Sequence, residues 1–190
     1  MTELDDLVFC PLTTANWADF EAFFQSDPTC NGCWCMWWRK TRSKFQGHAR
    51  ENKAEMHAIV DSGVVPGLLA YRNGQVVAWC SVAPRNQFPS LNRSPTLKPV
   101  DDKPVWSIVC FVVAEPLRRK GMTQVLTREA IRYAKDRGAE IIEAYPLINR
   151  EKRDSLSGNT YMGLASTFEA LRFVQVSHRS EVRNIMRLFL

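Results

Sequence analysis

No stretch of the 190-residue sequence approaches the roughly 18 consecutive apolar residues that a membrane-spanning helix needs. The opening residues, Met1-Thr2-Glu3-Leu4-Asp5-Asp6, are acidic where a secretory signal is basic. Both absences predict a soluble, cytoplasmic protein with no membrane partner. The first 38 residues also lack any Lys or Arg: they hold six acids (Glu3, Asp5, Asp6, Asp19, Glu21, Asp27), and all 25 basic residues lie from Arg39 onward. Histidine is scarce, with His48, His57 and His178 isolated from one another. With no H-E-x-x-H and no G-x-S-x-G in the chain, metallohydrolase and serine-hydrolase chemistry lack their usual carriers. A G-x-x-x-x-G-K-[ST] loop is missing too, and no G-x-G-x-x-G follows any strand, which argues against P-loop and dinucleotide sites. Repeats and Gly/Ser linkers are also absent, so residues 1–190 are expected to form a single domain.

What the chain does contain is enough to fold. Apolar residues make up 45%, aromatics 11% and charged residues 24%, a balance that can offset the entropy of ordering. The net charge is +5, and the basic body suits a polyanionic partner. Six cysteines are scattered through apolar runs, which fits unbridged thiols in a reducing compartment better than a disulfide framework.

Periodicity gives a mixed α/β order. Ala15 to Gln25 and Lys53 to Val60 read as helices. Gly67 to Arg72 and Gln75 to Val82 flank Asn73-Gly74, a strong hairpin signal because both central residues of a type I′ turn need positive φ. A loop with five prolines, Ala83 to Pro104, leads to Val105–Val113, which is apolar throughout its centre and reads as a strand covered on both faces. From Met122 the positions Val125, Leu126, Ala130, Tyr133 and Ala134 mark one helical face, ended by Arg137-Gly138. Glu140 to Tyr145 is the next strand, stopped by Pro146, and the β-helix-β order implies a parallel pair. A helix over about Tyr161 to Leu171 and strands over Phe173 to His178 and Arg183 to Leu190 close the chain.

The junction Val113-Ala114-Glu115-Pro116-Leu117-Arg118-Arg119-Lys120-Gly121-Met122-Thr123 carries the most chemistry. A helix N-terminus leaves its first amides unpaired and carries about half a positive charge. Three cations directly before it deepen the same well for a phosphate or pyrophosphate.

Strand, V-x-x-x-x-R-x-x-G-x-(G/A), amphipathic helix and further strand together resemble the cofactor motif of the GNAT superfamily, the acyl-CoA-dependent N-acyltransferases. In element order the resemblance runs from about Leu7 to Leu190. It implies a single central mixed sheet flanked by helices and transfer of an acetyl group from acetyl-CoA to a primary amine. It also implies that the backbone of Arg118, Arg119, Lys120, Gly121, Met122 and Thr123 holds the CoA pyrophosphate. The main chain of Phe111, Val112 and Val113 would pair with the pantetheine arm and polarise the thioester carbonyl. Thr123 stands where the family has Gly or Ala. Phe168 stands where it commonly has a Tyr general acid, and Arg172 where it has Gly.

Such a transfer still needs proton management. Glu143 and Tyr145, two apart on a strand, share one face beside the implied thioester. Tyr161 lies seven residues before Phe168, two turns along the expected helix, so it could supply the missing hydroxyl. All three are catalytic candidates.

Cys30-Asn31-Gly32-Cys33-Trp34-Cys35-Met36-Trp37-Trp38-Arg39 gathers three cysteines and three tryptophans. With no second C-x-x-C, a zinc site is not expected, and no metal is assigned. A buried aromatic and thiol cluster is one reading. An acceptor-pocket wall built by Trp34, Trp37 and Trp38 is another. Two rival functions remain open: a CoA-binding module without catalysis, and single-stranded nucleic-acid binding by the aromatic and basic run Trp37 to Phe45. The acceptor is expected to be a small amine rather than a protein, drawn by the acidic N-terminal segment, and a homodimer stays open.

Overall fold

The computed structural model describes residues 6–30, 32–148 and 160–190. Met1 to Asp5, on which the signal-peptide argument rests, lie outside them. One seven-stranded sheet organises the chain, in the order β1-β2-β3-β4-β5-β7-β6. The strands are β1 (Val8–Pro11), β2 (Leu68–Arg72), β3 (Gln75–Pro84), β4 (Trp106–Val113), β5 (Ile141–Ala144), β6 (Val174–Gln175) and β7 (Met186–Phe189). The β4–β5 pair is parallel and all the others are antiparallel. That is the mixed sheet the β-helix-β order predicts, and the hairpin turn has Asn73 at φ 50° and Gly74 at φ 76°.

Two cores lie on opposite faces of this sheet. On the first face, α1 (Trp17–Ser26) and α3 (Ala49–Asp61), which follows the short α2 (Arg42–Phe45), pack with Leu12, Trp79, Phe88 and the Cys30–Trp38 segment. Phe20, Phe24 and Trp79 form its centre, with Phe20 and Trp79 ring centroids 4.9 Å apart. On the second face, α4 (Met122–Lys135) buries Met122, Leu126, Ala130 and Ala134 against Ile108, Phe111 and Ile142, while Val125 and Tyr133, also read into that stripe, are only half-buried. Among the described residues, no helix is long and apolar enough to cross a membrane.

The segment after residue 160 departs from expectation. Instead of one helix there is a 3-10 turn at Thr160–Met162, a reversal at Gly163 (φ +83°), and the short α5 (Ala165–Glu169). Tyr161 packs with the first core and Phe168 lies in the second, so they share no helical face. Periodicity failed because a positive-φ glycine splits the apolar pattern between two layers.

Candidate active site

β4 is a continuous strand on one edge and an interrupted one on the other. Toward β3 it pairs along its length, with Val82 opposite Ile108 and Ser81 opposite Cys110, so Val109 is an extra residue, a β-bulge. The bulge sends both Val109 and Cys110 to the first core, while Ile108 and Phe111 face the second. Toward β5 only Trp106, Ser107 and Ile108 are registered, against Ile142, Glu143 and Ala144. Beyond them the parallel strands part. The Ala114 N–H donates to Val77 O at 2.9 Å. In an antiparallel ladder hydrogen-bonding residues alternate, so the polar groups of Phe111 and Val113 turn to the open edge.

The Arg-rich turn stands at the far end of this opening. Arg119 (φ 62°) and Gly121 (φ 86°) are both left-handed. A Cβ on Gly121 would meet nothing within 4 Å, so its glycine serves the backbone turn that starts α4 and not a tight fit. Arg118 does not extend outward as a phosphate ligand. Its Nε donates to Val113 O at 2.8 Å and its Nη2 pairs with Asp27 Oδ2 at 2.6 Å, tying the turn to β4 and to the end of α1.

Glu143 and Tyr145 do share a face, but both are fully buried. Arg85 Nη1 reaches Glu143 Oε2 at 2.7 Å and Tyr145 Oη at 2.6 Å. Tyr145 Oη donates to Glu143 Oε2 at 2.7 Å, and Ser107 Oγ lies 2.7 Å from the phenol. Arg187 Nε takes Glu143 Oε1 at 2.9 Å and holds Asp101 with its other nitrogens at 2.7 and 2.9 Å. Burial, reinforced by the Glu143 charge, pushes the Tyr145 phenol well up. A carboxylate held between two guanidiniums and a phenol sealed from solvent lock the base of the splay. Both side chains are spent within this buried network, a bracing arrangement where a catalytic pair was expected.

Tyr161 is placed differently. It is half-buried, on a turn packed against β4. Burial pushes its phenol up to about 12, against the pull of Arg183, whose guanidinium lies 5.9 Å from the ring. Arg183 also donates to the Tyr145 carbonyl, where β5 ends. The Trp38 indole is near the Tyr161 hydroxyl, yet its buried N–H is outside hydrogen-bond geometry with every described group.

The tryptophan expectation needs one correction. Trp34 is 6% exposed and stacked on Phe24 at 5.8 Å, a core residue and not a pocket wall. Trp37 is 36% exposed, edge-on to Phe45, and Trp38 is half-buried beside it. The basic run after them is partly turned inward: Arg39 is half-buried with its guanidinium over the Phe88 ring, and Lys40 is buried in a 2.8 Å pair with Glu55. Half the cations that would neutralise a nucleic-acid backbone are thus withdrawn. The acids expected to attract a cationic acceptor are also engaged, Asp19 by the Tyr71 hydroxyl, Glu21 by Lys53 and Asp27 by Arg118.

Residues 33–152 match the Acetyltransferase (GNAT) family. The chain belongs to this family, and is a GNAT acetyltransferase by membership. No curated protein matches it significantly in sequence. Among solved structures, a GNAT acetyltransferase from Streptococcus agalactiae 2603 superposes with TM-score 0.58 at 7% identity, over 98% of this chain and 96% of that one. A ribosomal-protein-alanine N-acetyltransferase from Brucella melitensis gives 0.54 at 16% identity, over 96% and 99%. A chain of the NatC complex, solved with a Gag peptide and CoA, gives 0.56 at 11%, over 97% and 99%. At these identities the likeness is one of fold. The family uses acetyl-CoA, and the parted β4–β5 edge and glycine-opened α4 fit such a donor, with main-chain groups at one end and helix amides at the other.

Proposed function

We propose that this protein transfers an acetyl group from acetyl-CoA to the primary amine of a small molecule by direct attack on the thioester. The observation that carries this reading is the β4 edge, which loses its β5 partner after Ile108 and runs on past a bulge to the Arg-rich turn. Of Phe111, Val112 and Val113, the first and last turn main-chain groups to the open edge for the pantetheine arm, Val112 being paired with Trp79 on β3, and one of their N–H groups stabilises the developing oxyanion. The amides of residues 118–123 and the charges of Arg119 and Lys120 receive the pyrophosphate, while Arg118 braces the turn from behind. Tyr161 protonates the departing thiolate: its phenol keeps its proton through neutral pH and faces the same side as Cys110. Trp37, exposed at the surface, and the half-buried Trp38 beside it border the amine's approach.

Two measurements test the proposal. A ligand present at about 100 times its dissociation constant stabilises a fold by about 2.7 kcal/mol, so acetyl-CoA is expected to raise the melting temperature, and an unchanged midpoint ends the donor reading. A panel of small amines, followed by release of CoA thiol, is expected to yield an acceptor. A thermal shift with no thiol release across that panel favours a CoA-binding module without catalysis. A shift with single-stranded oligonucleotide alone favours the nucleic-acid alternative.

A further inference from the structure

Four of the six cysteines converge at one end of the first core: Cys30, Cys33 and Cys35 from the segment after α1, and Cys110 from β4. Two of them are enclosed. Cys35 Sγ accepts from the Trp79 indole at 3.2 Å, and Cys110 lies hydrogen-bonded against Cys35, which together with burial pushes the Cys110 thiol well up. Among the described residues, no three Cys, His, Asp or Glu side chains are placed to share a metal ion.

Cys33 stands apart because it is half-exposed while Cys30 beneath it is 3% exposed. The Cys33 N–H donates to Cys30 O at 3.1 Å. A turn closed that way holds its end α-carbons below about 7 Å, within the span a disulfide bridges. The next two residues, Trp34 (φ 43°) and Cys35 (φ 55°), are left-handed without being glycine, and they turn Cys35 inward, away from Cys33's open side. A hydrogen bond from the Cys30 thiol draws Cys33 down to about 7, against burial and the nearby Asp27 charge.

We propose that Cys33 and Cys30 form a thiol–disulfide exchange site for low-molecular-weight disulfides, with Cys33 attacking and Cys30 resolving. The Cys33 thiolate attacks one sulfur of the small disulfide, whose S–S bond breaks and releases one thiolate, leaving a mixed disulfide on Cys33. Cys30 loses its proton to solvent and attacks the Cys33 sulfur, and the second small thiol departs. Two protein thiols are oxidised to one disulfide and the small disulfide is reduced to two thiols. Nothing in this depends on the acetyl donor.

Cys10, also half-exposed but on the edge strand β1, is an internal reference. In the unmodified protein at pH 7, iodoacetamide is expected to label Cys33 at least about tenfold faster than Cys10, since thiolate fraction governs the rate. With excess glutathione disulfide as the probe, the expected end product is a Cys30–Cys33 bridge. Cleavage after Trp34 separates it from Cys35 for mass mapping. Cys30→Ser is expected to stop at the Cys33–glutathione mixed disulfide. Equal labelling of Cys33 and Cys10, a bridge to Cys35 or Cys110, or a mixed disulfide on Cys33 that persists in the unmodified protein would each overturn the proposal. The labelling comparison needs no variant, so it holds even where Cys30→Ser fails to fold.

Discussion

At the residue scale, the proposed handling of the leaving thiolate rests on a single hydroxyl. Phe168, where the family commonly carries a phenol, is fully buried against Phe111 and Phe173 as part of the second core. In the proposed mechanism Tyr161, packed with Cys110 on the other face of the sheet, takes that part. General acid catalysis is typically worth at least about 10²-fold. Tyr161→Phe is therefore expected to lower kcat by about 10²-fold and leave acetyl-CoA binding unchanged, checked by steady-state kinetics with an accepted amine and by a donor titration. Arg172 shows a residue-scale cost of another kind. It sits at φ 67°, just beyond α5, where a side chain is strained and glycine is not. Arg172→Gly should relieve about 1 kcal/mol, which for a chain of this size raises the melting temperature by about 2–4 °C. Calorimetry measures it directly.

At the scale of elements, the Arg85–Glu143–Arg187–Asp101 chain joins the end of β3, the middle of β5 and β7, and the proline-containing loop. Removing one partner of a buried ion pair leaves uncompensated charge, at a cost of about 3–5 kcal/mol. Glu143→Gln is expected to lower unfolding free energy by that order in denaturant titrations. If the folded variant keeps its turnover with an accepted amine, Glu143 has a structural and not a catalytic role. The amphipathic α4, the Asn73-Gly74 hairpin and the buried β4 were legible because each depends on a local period or turn chemistry. The Glu143 network was not, because its partners lie 58 and 44 residues away in sequence and nothing in a strand's pattern announces an ion pair across the sheet. Likewise the alternation of β4 hides its bulge: an extra Val109 in an all-apolar run changes no period that the eye can count. Trp34 misled for a related reason, since three neighbouring tryptophans look alike until left-handed backbone at Trp34 and Cys35 turns the first toward Phe24.

At the scale of the whole molecule, a few charges tie elements together. Glu21 and Asp27 of the N-terminal segment, with Lys53 and Arg118 as partners, and the Lys40–Glu55 pair join α1, α3 and the α4 turn. One such pair sets an acid limit. Arg187 hydrogen-bonds Asp101 and holds its carboxyl at about 2, below its ordinary 3.8. A depressed carboxyl contributes stability above its unfolded value and loses it as pH falls through its folded one. Asp101→Asn lacks that contribution at every pH, so its stability is expected to decline less steeply than that of the parent between pH 4 and 2, read by denaturant midpoints.

The three-residue register between β4 and β5 also divides the sheet mechanically. Strands β1 to β4 form one ladder and β5 to β7 another, joined along Trp106–Ile108 and by side chains such as Arg85 and Arg187. This seam is the cheapest place for the sheet to open. The Phe111 and Val113 amides beside it should exchange with solvent sooner than the Trp79 and Cys80 amides one strand away, and a ligand lying along β4 would slow that exchange as though it were an eighth strand.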